Sequence, residues 1–121
     1  MRGIVFIAAA MLAAGAASAQ DAAQVQQGQK AFDYSCAPCH GRGPGNDGAK
    51  VLPGVASLTM KYKGSKPALL EERTDLPAPV LRTFVRNGSF AMPAFRKTDI
   101  SDADIVAIAA YLAQSAAQAK R

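Results

Sequence analysis

The chain has 121 residues, of which half are hydrophobic; it has no tryptophan and carries a formal charge of +5. That length holds one small domain with a modest core of its own. The charge is mild, and the dense Lys/Arg cluster and module that nucleic-acid binding needs are both missing.

Met1 to Ala19 is an Ala-rich apolar stretch with one basic residue, Arg2. It closes on Ala17-Ser18-Ala19, the small-residue pattern at which signal peptidases cut. Its apolar run, from Ile4, is about 11 residues, whereas a membrane span needs roughly 20. Residues 1–19 are therefore expected to be a cleavable export signal and 20–121 the mature domain, with no stable membrane insertion after cleavage. The mature domain keeps 13 basic and 9 acidic residues, a formal +4.

Gln24 to Ser35 reads as a short amphipathic helix, with Val25, Gly28, Phe32 and Tyr34 as candidates for its packed face. From Gly41 to Gly54 glycines and prolines crowd together in a run that cannot continue a helix, and a wrapping loop is expected there. Ala68 to Glu72 reads as a brief helix with Pro67 at its start. Pro79 to Arg86 is another, with Val80, Leu81, Phe84 and Val85 facing inward and Asn87-Gly88 as its stop. Ser101-Asp102-Ala103-Asp104 approximates a capping box and opens the longest periodic stretch, Ile105, Ile108, Ala109 and Leu112, flanked by Tyr111 and ending near Ala117. No stretch alternates with period two, so the expected class is all-α, three to four helices and their loops.

Between the first helix and the loop lies Cys36-Ala37-Pro38-Cys39-His40. Two thiols at this spacing can add to the two vinyl groups of one porphyrin, and the adjoining imidazole can turn onto its iron: the requirement for a covalently bound c-type haem. A zinc site would be one ligand short, because Cys36 and Cys39 are the only cysteines and His40 the only histidine. A thioredoxin-like redox pair would want a strand ahead of the motif, and the preceding segment reads as helix. A porphyrin would also supply the apolar surface that so small a chain lacks.

Haem iron with one histidine takes either a second protein ligand, which suits electron transfer, or keeps an open face, which suits peroxide chemistry or gas sensing. Outside the leader only Met60 and Met92 are available. Met92 sits in an irregular segment, Asn87 to Phe95, between two expected helices, with Pro93 fixing the backbone after it, and is the expected sixth ligand. Met60 has no such turn chemistry and is expected to fill the core. The metal set is then His40 and Met92, and the cofactor-binding set Cys36, Cys39, His40 and Met92. The rival is a haem protein with an open distal site, a peroxidase or sensor, in which Met92 merely packs. No nucleophile–base pair or carboxylate dyad is recognisable, so no catalytic residue is expected; Asp33, Asp47, Glu71 and Glu72 read as solvated charges.

Cys36 to His40, the Met92-Pro93 loop and a helix closing on Tyr111-Leu112 resemble class I mono-haem cytochromes c over nearly all of residues 24–115. The resemblance implies a small cytochrome c fold in which the first and last helices pack together, Gly28 and Phe32 meeting Ile108 and Tyr111, with glycine allowing close approach. It also implies a proline carbonyl accepting the N–H of the ligating histidine; Pro44 and Pro53 both lie in the right region, and Pro53 is preferred. The implied role is a periplasmic one-electron carrier, docking briefly through Lys61, Lys63 and Lys66 or through Arg86, Arg96 and Lys97. Lys61 to Gly64, Leu69 to Leu76 and Met92 to Thr98 further resemble small cytochromes that accompany flavin-dependent dehydrogenases of the p-cresol methylhydroxylase type. That likeness implies a flavoprotein or other dehydrogenase as electron donor and an oxidase or another cytochrome as acceptor.

Overall fold

The computed structural model describes residues 21–121, and the expected leader, 1–19, lies outside the described residues. Among the described residues the chain forms α1 (21–35), α2 (Ala37–His40), α3 (Pro53–Tyr62), a 3₁₀ turn (Leu70–Glu72), α4 (Ala78–Asn87) and α5 (Asp102–Ala119), with no strand. The all-α class expected from the sequence is the one observed.

Glycine at 28 decides how α1 meets α5. A Cβ built there would fall 1.9 Å from the Ala107 carbonyl oxygen and 2.9 Å from the Ile108 nitrogen, so only a bare backbone lets the two helices touch. One turn later the buried Phe32 ring tilts against Tyr111 with centroids 5.4 Å apart. Tyr34, expected on the same face, is 86% exposed. Two positions along a helix is about 200° of rotation, which carries it away from Phe32.

α5 opens on the capping box read from the sequence: Ser101 Oγ accepts from Asp104 N–H at 3.0 Å and Asp104 Oδ2 accepts from Ser101 N–H at 3.1 Å. Ile105, Ile108 and Leu112 of this helix join Phe32, Leu76, Leu81, Val85 and Ile100 in one core. The 3₁₀ turn and α4 both pack on α5. On α4 the buried stripe is narrower than expected: Leu81 and Val85 are buried and Phe84 half-buried, while Val80 faces solvent.

α3 is the element that sequence reading misses, and a 3₁₀ turn stands where a brief helix was expected. Only Val55 of α3 is buried, so no apolar stripe advertises it, and Ser57 and Thr59 turn their hydroxyls back on the Pro53 and Val55 carbonyls. Its terminal signals are orthodox: Pro53 in the first turn and left-handed Lys63 and Gly64 at its end. Met60, expected in the core, is instead 76% exposed. Beyond α3, the buried Arg73 grips Asp75 through two bonds of 2.8 Å and lies over the Tyr62 ring at 4.9 Å. Lys66 adds a third donor to Asp75 at 2.7 Å, and the Arg73 bond, then the Lys66 bond, hold the Asp75 carboxyl well below its usual range. The end of α3 is thereby fastened to the chain entering α4.

Candidate functional site

The Cys-x-x-Cys-His segment folds as a continuation of α1. Cys36 N–H reaches back to the Phe32 carbonyl at 2.8 Å, and Cys39 and His40 N–H both donate to the Cys36 carbonyl, which winds the five residues into one helical turn. Pro38 is tolerated because it falls in the first turn of α2, where its missing N–H has no partner to lose. Both cysteines are free; Cys36 is half-buried and packs on the core, and Cys39 is exposed. Burial, and then the neighbouring Cys39, pushes the Cys36 thiol up to about 11, the reverse of what a nucleophilic redox cysteine requires. Among the described residues no three His, Cys, Asp or Glu side chains gather into a metal-binding group.

His40 leaves this turn against α3. A Cβ at Gly54 would stand 2.7 Å from its Nδ1, its Cε1 and the Cys39 carbonyl, so glycine makes the cradle in which the imidazole lies. Desolvation lowers the His40 pKa and keeps the ring neutral, the form able to ligate a metal. Its Nδ1 is buried without a hydrogen-bond partner. The expected bond to a proline carbonyl is therefore not made, and the Pro53 carbonyl accepts from Ser57 Oγ at 3.0 Å instead. The glycine contact brings the 53–54 step, rather than the Pro44 region, to the ring. A cleft beside the turn is lined by Gly41, Arg42, Gly43, Val51, Val55 and Leu69.

Met92 arrives on a loop built by α4. Gly88 ends that helix at φ +69°, and a Cβ on it would meet the Met92 carbonyl oxygen at 2.7 Å. Ser89 and Met92 then exchange both backbone hydrogen bonds at 3.0 Å, and Phe95 N–H donates to the Val85 carbonyl at 2.7 Å. Arg86 braces the loop from within, donating to the Phe95 and Ile100 carbonyls and to Asp102 at 3.2, 2.8 and 2.8 Å. The half-buried Met92 and Cys36 pack on the same core.

Two groups of charges depart from expectation. Arg86 is an internal brace, not a docking residue; Arg96 and Lys97 stay exposed but pair with Asp99 and Asp102. Glu71 is not simply solvated. It accepts the Tyr111 hydroxyl at 2.5 Å and faces Arg42 at 3.5 Å, which ties the chain just past His40 to α5. Burial, and then Glu71, raise the Tyr111 pKa and keep it protonated. The roles of Gly54 and Arg42 were missed in the sequence, and Arg86 was read there as a docking charge; only Gly54, directly after a proline, left a local sign.

A helical turn presenting two free thiols, a neutral imidazole seated on glycine and a braced methionine loop together make an all-α protein fitted to hold a porphyrin. Residues 23–112 match the family described as cytochrome c oxidase, cbb3-type, subunit III, and the chain belongs to it. It is thus a mono-haem cytochrome c domain with a covalently bound c-type haem, a haem-based electron carrier that works with redox protein partners. No solved structure matches the chain. No helix among the described residues is long and apolar enough to cross a membrane.

Proposed function

We propose that Cys36 and Cys39 would carry the two thioether bonds, that His40 and Met92 would ligate the iron, and that the mature domain is a periplasmic shuttle for single electrons. The observation that carries this reading is the His40 cradle: an imidazole held neutral, one residue past Cys39, with Nδ1 buried at Gly54 so that Nε2 is the nitrogen left to coordinate. The haem supplies a one-electron ferric/ferrous couple. The chain keeps both ligands in place through that change: the α2 turn holds His40, and the Gly88 turn and Arg86 hold Met92. A soft thioether and an apolar setting favour the ferrous state, so the potential is high for a haem. No residue acts on a bound substrate in this reading, and the cytochrome is no enzyme by itself.

A dehydrogenase donates the electron, with a flavoprotein oxidising phenolic or alcohol substrates as the candidate drawn from the likeness of residues 61–64, 69–76 and 92–98. The family's description as an oxidase subunit supports a terminal oxidase as acceptor. Residues 1–19 serve as the export signal.

The test is the spectrum of protein made with haem-attachment machinery. Pigment that stays on the chain in acidified acetone, together with a sulfur-to-iron charge-transfer band in the ferric form, is the expected result. Extractable pigment would refute the thioethers. Ready binding of carbon monoxide to the ferrous wild type would refute Met92 ligation and favour an open distal face.

A further inference from the structure

On the reading that His40 ligates the haem iron, we propose that Glu71 is a positioning residue for that ligand, a buried carboxylate that fastens the segment after His40 to α5 through Arg42 on one side and Tyr111 on the other. Residues 41–51 follow the ligand directly and are poorly equipped to hold themselves. Gly43 and Gly48 take φ of +113° and +85°. The loop's internal bonds run from Gly45 N–H to the Ala49 carbonyl, from Gly48 N–H to the Gly45 carbonyl and from Ala49 N–H to Asp47, so they join it only to itself. Gly41 N–H still closes the α2 turn on the Ala37 carbonyl at 2.9 Å. Beyond it, among the described residues, Arg42 is the one residue of the loop whose side chain bonds to the rest of the protein.

The two partners of Arg42 differ in what stands behind them. Arg42 Nη2 donates to Glu72 at 3.1 Å, but Glu72 is partly exposed and makes no other side-chain bond among the described residues. Glu71 is only 15% exposed, faces Arg42 Nε at 3.5 Å and accepts the Tyr111 hydroxyl at 2.5 Å. Tyr111 is in turn fixed against the Phe32 ring, one turn before Cys36. An exposed ion pair holds little, because water screens it and two long side chains must be ordered. A buried carboxylate already bonded to a tyrosine is different: it cannot turn to water, so letting Arg42 go leaves a charge without its partner. His40 is thus held twice, at its ring by the Gly54 cradle and at the backbone that follows it by the Arg42–Glu71 tie. Opening of the 41–51 segment is the local motion that would let the imidazole leave its seat.

Hydrogen exchange at the His40 ring tests this in the reduced holoprotein, by proton NMR in heavy water. With Nε2 on the iron the N–H at Nδ1 remains, and it exchanges when the seat opens. Three variants are compared with wild type. Glu71→Gln keeps an acceptor for Tyr111 and loses the charge that pairs with Arg42; Tyr111→Phe keeps every charge and loses the bond to α5. Ser101→Ala removes the α5 cap, a loss of stability that leaves the tie intact. The proposal expects the first two to speed exchange by about tenfold or more, the effect of losing a hydrogen bond to a charged group, and Ser101→Ala to leave it as in wild type. Unchanged exchange in either of the first two would overturn it, since both links are needed. So would an equal rise in Ser101→Ala, which would make the exchange a measure of overall stability, and so would a wild-type N–H that exchanges at once. If the carbon-bound ring protons of His40 lack the shifts of an iron-bound imidazole in the reduced wild type, the ligand reading itself fails and takes the positioning role with it.

Discussion

Replacing Gly28 by alanine sets two effects of opposite sign against each other. In an exposed helix interior the change would stabilise by about 1 kcal/mol, since glycine is the poorer helix former. Here the new methyl would lie 1.9 Å from a backbone oxygen and 2.4 Å from its carbon, both on α5, and neither can swing aside as a side-chain tip could. The helices would have to part by about 1 Å, loosening Phe32, Ile108 and Leu112 in a close-packed core. Overpacking of this kind costs about 1–3 kcal/mol, and a clash between backbones belongs at the upper end. The net loss is about 2 kcal/mol, or roughly 10 °C in Tm for a domain of this size. Thermal unfolding of the holoprotein, followed by circular dichroism, measures it. A Tm unchanged or raised would refute the close crossing of α1 and α5.

Gly54→Ala should displace the His40 imidazole, which has no slack at 2.7 Å, and lower either the haem content or the midpoint potential of the purified protein. Met92→Ala should let carbon monoxide bind the ferrous protein at neutral pH and lower the potential, both read by optical titration. Arg86→Met would leave the Phe95 and Ile100 carbonyls without their donors at a cost of about 2–3 kcal/mol, checked as a lower urea midpoint. Asp75 and Asp104 have carboxyl pKa values held below 3.8 in the folded chain, Asp75 chiefly by Arg73 and Asp104 chiefly by Ser101. Below about pH 4 the unfolded chain binds more protons than the folded one, so stability should fall with falling pH in that window; Asp75→Asn should flatten that acid limb of the Tm profile.

The part of this protein that a linear reading captures is the part written in adjacent residues. Cys36 to His40 lie within one helical turn, so their spacing alone specifies what they can hold. The capping box at Ser101, the stop at Asn87-Gly88 and the helical period of α5 are equally local. Gly28 was legible through likeness to known cytochromes, and its meaning became physical only with Ala107 in place beside it. α3 escaped because its face is scarcely buried and hydrophobic periodicity marks only helices that bury a stripe. Glu71 and Arg86 are the plainest cases of the remainder. As letters they are surface charges, and what makes one an acceptor for Tyr111 and the other a brace for the Met92 loop is the approach of segments up to 40 residues away. Charges take their roles from what the folded chain sets next to them, whereas the thiols and the imidazole bring theirs along.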